Sequence, residues 1–336
     1  MQNENKATMQ AMVIESYGDP EKLVLHEVPM PKPGLGEILI KIRAFGLNHA
    51  ETYMRRGIWE NSVPIIGIEC VGEVEQDRSG VLQKGTTVAA IMGGMGRTRN
   101  GSYAEYTSVP ATNVFALKTK MGWADLAALP ESYATAWACL FENLRLIEAK
   151  DDAILLVRGA TSGLGQAALN IAAARGITVW GTTRRSAKEP FLQSIGAKRV
   201  LIESNELSKT TRALRPDGID YVLDLIGNTA FAESTRMVRK GGRVCVAGWL
   251  GGFDPVPFDV LDLQPGVDVS LFASSTFGSK DYPLFRIPMQ TIVEHAEAGL
   301  YKAKPARVFK FCELPEAHRL METNGAKGKL VAVIDG

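Results

Sequence analysis

The sequence has only four cysteines and four histidines in 336 residues. Cys70, Cys139, Cys245 and Cys312 lie far apart and form no Cys-x-x-Cys pair, while His26, His49, His295 and His318 show no helical ligand spacing. Neither a disulfide framework nor a metal cluster is indicated. Neither sign of charge dominates: 38 Lys and Arg stand against 37 Asp and Glu, a net charge of +1, so no overall field recruits nucleic acid or an anionic membrane. No apolar run approaches the roughly 20 residues of a membrane span, and residues 1–6 lack the apolar centre of a signal peptide. These absences lead to the expectation of a soluble protein of a reducing, cytoplasmic compartment, with a small-molecule partner and neither a nucleic-acid nor a membrane partner.

What is present is enough chain for two cores, because a single core rarely grows past roughly 250 residues. Residues 11–125 read as β-rich: 38–44 and 71–74 are strand-like, with Pro and Gly between them. Residues 48–57 read as a short helix capped by Asn48 and stopped by Gly57. From about residue 126 strands and helices alternate, the pattern of a parallel sheet. Strands are expected at 153–158, 178–183, 199–203, 221–226, 243–248 and about 269–274, the six of a doubly wound dinucleotide fold. After residue 300, segments 307–311 and 329–334 read as strands again, the last returning to the first domain.

The organising stretch runs from the apolar strand at 153–157 through Arg158, Gly159, Ala160, Thr161, Ser162, Gly163, Leu164 and Gly165 into a helix. Glycines there let the backbone approach a pyrophosphate, whose charge sits at a helix N-terminus. Two registers are open: Gly163, Gly165 and Ala168 fit G-x-G-x-x-A, and Ala160, Gly163 and Gly165 fit a second spacing. Thr161, Ser162, Gly163, Leu164 and Gly165 are candidate cofactor contacts in both. About 20 residues on, where an acid would take the ribose 2′-hydroxyl of NADH, the chain has Arg184, Arg185 and Lys188; cationic groups suit a 2′-phosphate and hence NADPH. Asn228, Gly248, Trp249 and Ser274 fall just past expected strand ends, where open sheets bind ligands.

Several pieces together resemble the medium-chain dehydrogenases/reductases, and among them the zinc-independent quinone oxidoreductases related to zeta-crystallin. They are Gly46-Leu47-Asn48 with Glu51-Thr52-Tyr53-Met54-Arg55-Arg56-Gly57, the run from Pro64 to Gly72 that holds Gly67, Ile68, Glu69 and Cys70, the segment Gly101-Ser102-Tyr103-Ala104-Glu105-Tyr106, the glycine turn, Gly241-Gly242-Arg243-Val244, and Gly328-Lys329-Leu330. The resemblance implies an α/β fold: a GroES-like catalytic domain from 1–125 and 300–336, and a Rossmann domain from 126–299. It implies cofactor contacts at Asn48 and Tyr53, with the Tyr53 phenol placed to donate to an oxygen gaining charge. Thr135 matches a position beside the nicotinamide; an ordinary helix threonine is the other reading. The positions matching the zinc ligands of other members are Asn48, Ile68 and Glu131, and Ile68 cannot ligate.

The resulting expectation is NADPH-dependent hydride transfer to a quinone or α,β-unsaturated carbonyl, without zinc. Enoyl-thioester or alkenal reduction, and a non-catalytic NADPH-binding or sensing role, are the alternatives. A homodimer through residues 267–272 follows from the resemblance. The glycine-rich segment 91–101 is expected as a flexible lid offering Arg97 or Arg99 to an acidic substrate group, against the alternative of a solvated loop.

Overall fold

The computed structural model describes residues 7–59, 62–323 and 325–334. The chain opens with strands β1 (Thr8–Ile14), β2 (Leu23–Pro29) and β3 (Glu37–Leu47), then helix α1 (His49–Arg55). Strands β4 (Glu69–Asp77), β5 (Thr87–Ile91), β6 (Tyr106–Pro110) and β7 (Val114–Ala116) follow, then helices α2 (Trp123–Leu126) and α3 (Pro130–Trp137). A strand-helix alternation comes next: β8 (Ile154–Arg158), α4 (Gly163–Ala174), β9 (Thr178–Thr183), α5 (Glu189–Ser194), β10 (Arg199–Ile202) and α6 (Leu207–Leu214). It continues with β11 (Ile219–Asp224), α7 (Phe231–Met237), β12 (Val238–Val246) and β13 (Asp268–Leu271). The chain ends with α8 (Met289–Glu297), β14 (Arg307–Lys310), α9 (Leu314–Glu322) and β15 (Leu330–Val333).

Two compact units result. The β-rich unit comprises the described residues of Met1–Glu131, Ser274–Glu297 and Ala303–Gly336; the other comprises Ser132–Ala273 and Ala298–Lys302. This division differs from the one expected at 125/126 and 299/300. Residues 274–297 join the β-rich unit because Asn113 Nδ2 donates to the Phe277 carbonyl (3.0 Å) and Gln290 exchanges two hydrogen bonds with the Lys118 backbone.

In the β-rich unit the sheet order is β14-β15-β3-β4-β5-β7, with β6 on the other stretch of β3. β15 pairs antiparallel with β3, Leu330 opposite Leu47, so the C-terminal strand does return to the first sheet. Ile38, Ile40 and Ile42 share one buried face of β3 and Leu39 is buried on the other, so this central strand is covered on both sides. The segment after the glycine-rich run 91–101 becomes a strand only at Tyr106, where β6 starts.

The second unit is a six-stranded, all-parallel sheet of order β10-β9-β8-β11-β12-β13. In order of sequence within this unit that is 3-2-1-4-5-6, the doubly wound arrangement. Ile154, Leu156, Trp180, Val222 and Val244 form one core cluster with Leu207 of α6 and Met237 of α7. β11 ends two residues before the expected 226, since the Asp224 carboxylate accepts from the Ile226 (2.8 Å) and Gly227 (3.0 Å) N–H groups and turns the chain there. Among the described residues no helix is long and apolar enough to cross a membrane.

Candidate functional site

Every residue of β8 is buried, and the chain leaves it through Gly159 at φ +76°, a left-handed conformation that favours glycine. Ser162 then caps α4: its Oγ accepts from the Gly165 N–H at 3.1 Å and donates to the Gly159 carbonyl at 2.8 Å. A Cβ on Gly165 would stand 2.6 Å from the Gly159 oxygen and 2.7 Å from Ala160 Cα. Gly165 is therefore a glycine of close helix-strand packing. The first turn of a helix leaves N–H groups without intrahelical partners. Ser162 takes that of Gly165, which leaves those of Gly163 and Leu164 for an anion.

Beyond β9, Arg184 and Arg185 are exposed. The Arg185 N–H donates to Thr183 Oγ1 (3.2 Å), which fixes the backbone while both guanidinium groups reach solvent. Lys188 instead lies over the Phe191 ring at 6.0 Å. Asn228 spends its amide on the Phe253 and Asp254 carbonyls, 3.0 Å each. It holds a loop, and the Trp249 ring stacks on Phe253 in the same loop at 5.9 Å. Gly248 allows a close approach, because a Cβ there would stand 2.6 Å from the Leu225 oxygen. Thr135 is buried in α3, and Ser274 belongs to the β-rich unit.

The β-rich unit holds a second constellation. Lys329, at the start of the last strand, sends its ammonium to the Glu69 carboxylate and to Asn48 Oδ1 (2.6 Å). Asn48 Nδ2 donates to Glu69 Oε1 (2.9 Å) and Glu51 Oε1 (3.3 Å). Glu51 also accepts from the backbone N–H groups of Asn48 (2.7 Å) and Ile68 (3.2 Å), and Glu69 from that of Glu131 (2.9 Å). Glu51 and Glu69 have no exposed surface. Burial pushes the Glu51 carboxyl up to about 8, with Lys329 opposing and Glu69 reinforcing the shift. Gly46 makes room: a Cβ there would lie 2.4 Å from both Glu69 Oε1 and Lys329 Cε. Both Asn48 donors are consumed inside this cluster, so its amide positions Glu51 and Glu69.

Tyr53 projects from α1, half-buried, with its ring 6.4 Å from His49 and edge-on to Trp59 at 5.4 Å. Burial raises its pKa, keeping the phenol a neutral donor. Burial, then the Lys329 ammonium, lowers His49 to about 4, so it is uncharged at neutral pH. Cys70 is 1% exposed, and burial pushes its ionisation far up, which makes it inert.

Segment 91–101 is not a loose lid. Met92 and Met95 are buried, the N–H groups of Arg97, Thr98 and Arg99 converge on the Gly94 carbonyl, and that of Gly96 reaches the Arg99 carbonyl. Arg99 pairs with Glu37 (2.7 Å), and Arg97 covers the Trp59 ring at 5.0 Å. Arg99 is thus spent on the sheet.

With this geometry in view, similarity to known proteins is informative. Residues 34–119 match the family "Alcohol dehydrogenase GroES-like domain", and residues 163–286 match "Zinc-binding dehydrogenase". The human protein named quinone oxidoreductase is 27% identical over 337 residues, spanning 97% of this chain and 98% of its own. The chain belongs to the quinone oxidoreductase family of the medium-chain dehydrogenases/reductases. A mycobacterial protein solved with NADPH superposes with a TM-score of 0.85 at 23% identity, covering 97% of this chain and 99% of its own, a likeness of fold. A putative alcohol dehydrogenase from Sinorhizobium meliloti gives 0.81 at 28% identity, covering 98% and 97%. As a member of this family the protein is an oxidoreductase that uses a nicotinamide dinucleotide and a small-molecule substrate.

The turn at Gly159 and the N-terminus of α4 suit that dinucleotide. The positions matching zinc ligands do not suit zinc: Ile68 is apolar, and Asn48 Oδ1 already takes the Lys329 ammonium. Sequence reasoning quoted Glu51, Glu69 and Lys329 within motifs without giving them a role. The available signal was a carboxylate inside the apolar run Ile65-Ile66-Gly67-Ile68-Glu69-Cys70-Val71, since a charge in a core run must be paired.

Proposed function

We propose that this protein is an NADPH-dependent oxidoreductase whose acceptor is a quinone or an α,β-unsaturated carbonyl compound, and that it works without zinc. The observation that carries the cofactor choice is the end of β9, where Arg184 and Arg185 stand exposed and the segment 178–188 contains no acid. Guanidinium groups grip a dianionic 2′-phosphate through charge-assisted hydrogen bonds. The N-terminus of α4 takes the pyrophosphate, through the Gly163 and Leu164 N–H groups and the helix dipole.

The bound nicotinamide supplies hydride to the acceptor. The protein supplies position and polarity: the Tyr53 phenol, kept protonated by burial, donates a hydrogen bond to an oxygen that gains charge. A donor set of Asn48, Ile68 and Glu131, with Lys329 already on Asn48, favours chemistry without a Lewis acid. Quinones and conjugated enones, which accept hydride readily, fit that lack, and a quinone is what the human relative's name states for that protein. In this reading the protein is cytoplasmic and pairs as a homodimer along β13, a sheet edge on which Val269 is 43% and Leu271 63% exposed.

The test is steady-state oxidation of NADPH and NADH with a panel of quinones, enones, alkenals and enoyl thioesters. Turnover of quinones or enones with NADPH preferred is expected. Turnover of enoyl thioesters alone moves the assignment to that substrate class, and nucleotide binding without turnover of any acceptor makes the protein a binder. Replacing Arg184 and Arg185 by alanine should weaken NADPH about tenfold or more, each charge-assisted bond being worth about 1.5–3 kcal/mol, and NADH far less.

A further inference from the structure

Arg158 ends β8, one residue before the glycine turn, behind four buried apolar residues, yet it is itself only 2% exposed. Its Nη2 pairs with the Glu203 carboxylate, Nε lies 3.5 Å from the other Glu203 oxygen, and Nη1 donates to the Ala230 carbonyl (2.7 Å) and Ser234 Oγ (3.0 Å). Ser234 in turn donates to Asp224 Oδ2 at 2.6 Å. Glu203 is the first residue past β10, and its N–H donates to the Thr183 carbonyl at 2.9 Å. The carboxylate therefore originates beside the strand end that carries Arg184 and Arg185.

An acid at that place has two consequences. Free, a carboxylate beside that strand end repels a 2′-phosphate and can accept from a ribose hydroxyl. We infer that Arg158 is a positioning residue for cofactor choice: it draws the Glu203 carboxylate beneath the turn and cancels its charge, so that Arg184 and Arg185 meet a 2′-phosphate without an opposing acid. The inference rests on the NADPH reading above and adds its control. The fork also ties β8 to β10 and to α7, but a tie alone has no reason to distinguish two cofactors that differ by one phosphate.

The experiment measures dissociation constants of NADPH and NADH by nicotinamide fluorescence for the parent, Arg158→Met, Glu203→Gln and the double variant, with melting curves alongside. In Arg158→Met the NADPH-over-NADH ratio should fall about tenfold, the interaction of two unit charges several ångströms apart at an intermediate dielectric. The double variant, with no carboxylate left to expose, should regain the parent ratio, and Glu203→Gln alone should equal or exceed it. A folded Arg158→Met with an unchanged ratio overturns the inference, as does a ratio that falls equally in the double variant. Should Arg158→Met not fold, a Glu203→Gln ratio below the parent's overturns it. A parent that prefers NADH is a different failure, which removes the 2′-phosphate reading itself.

Discussion

Lys329 in the β-rich unit and Arg158 in the nucleotide unit are both buried cations set among carboxylates, and they are embedded differently. Around Lys329 the partners are Asn48 and Glu69, with Glu51 bonded in turn to Asn48, brought together by β3, α1, β4 and β15, and both carboxyl groups also accept from backbone N–H groups. Around Arg158 the partners are Glu203, just past the end of β10, and Ala230 and Ser234 at the start of α7, with Asp224 at the end of β11 behind Ser234; ligands of such sheets bind beyond the strand ends. One cluster is sealed within its sheet, and the other, on the proposed reading, lies near the charge that the cofactor brings. A sealed cluster should govern stability, and one at the strand ends should govern selectivity.

The sharpest way to break that comparison is Lys329→Met. It leaves the fully buried Glu69 without its cation, and removing one partner of a buried pair costs about 3–5 kcal/mol. Urea unfolding of the β-rich unit should show a loss of that order, and a loss below about 1 kcal/mol would mean that Glu69 is paired well enough by N–H donors alone. Nicotinamide binding, measured under conditions where the variant is folded, should change little.

A second effect, nearly as large, appears on acidification. Buried His318 accepts from Arg55 Nε (3.3 Å) and bonds the Tyr103 hydroxyl (2.9 Å); burial, then the Arg55 charge, lowers it to about 3. A histidine depressed in the folded state binds its proton more readily when unfolded, so its contribution is present above pH 6.5 and lost as pH falls toward 3. His49, lowered to about 4, acts in the same direction. Each histidine contributes a fall of roughly 1.4 kcal/mol per pH unit between about pH 6 and 4, and buried Glu51, raised to about 8, opposes one of them until the pH nears its unfolded value of 4.5. In His318→Gln that slope should be shallower, and an unchanged slope would place the acid lability in other groups.

These two networks also mark what the sequence makes legible. The parallel sheet was readable strand by strand because strand, turn and helix recur at short range, and the glycine turn specifies itself within seven residues. The charged clusters were not, because nothing near Lys329 in the chain indicates that it meets residues 48 and 69. The same holds for Arg158, whose partner Glu203 lies 45 positions away. Where the reading from sequence went astray it did so locally: a glycine-rich segment looked flexible, while Met92, Met95 and the Arg99–Glu37 pair hold it to the sheet. Asn48, read as a helix cap and a cofactor contact, binds Glu51, Glu69 and Lys329.

Gly165→Ala sharpens the other side of the comparison. Its Cβ would fall 2.6 Å from a backbone oxygen that no side-chain rotation can move, so α4 must shift away from β8. Overpacking of this kind costs about 1–3 kcal/mol, and a displaced helix N-terminus misses the pyrophosphate. Both cofactors should weaken together, about tenfold or more, in contrast with Arg184 and Arg185 variants, which separate them. An alanine variant that binds both cofactors normally would show that the turn has slack.

The smallest effect on the fold is expected at β13. This strand forms the sheet edge with Val269 and Leu271 exposed, and an apolar edge with open backbone groups invites a second chain. Replacing both by lysine removes no buried contact, so the unfolding free energy of a protomer should stay within about 0.5 kcal/mol. Pairing of two like-charged edges would then be opposed at every register that brings the lysines together. Sedimentation at micromolar concentration should show a dimer for the parent and a monomer for the double lysine variant, with the NADPH-over-NADH ratio unaltered in both. A parent that sediments as a monomer ends the dimer proposal, and a lysine variant that remains dimeric moves the interface off β13 to another surface. If the ratio itself changes on dissociation, selectivity is not a property of the strand ends alone.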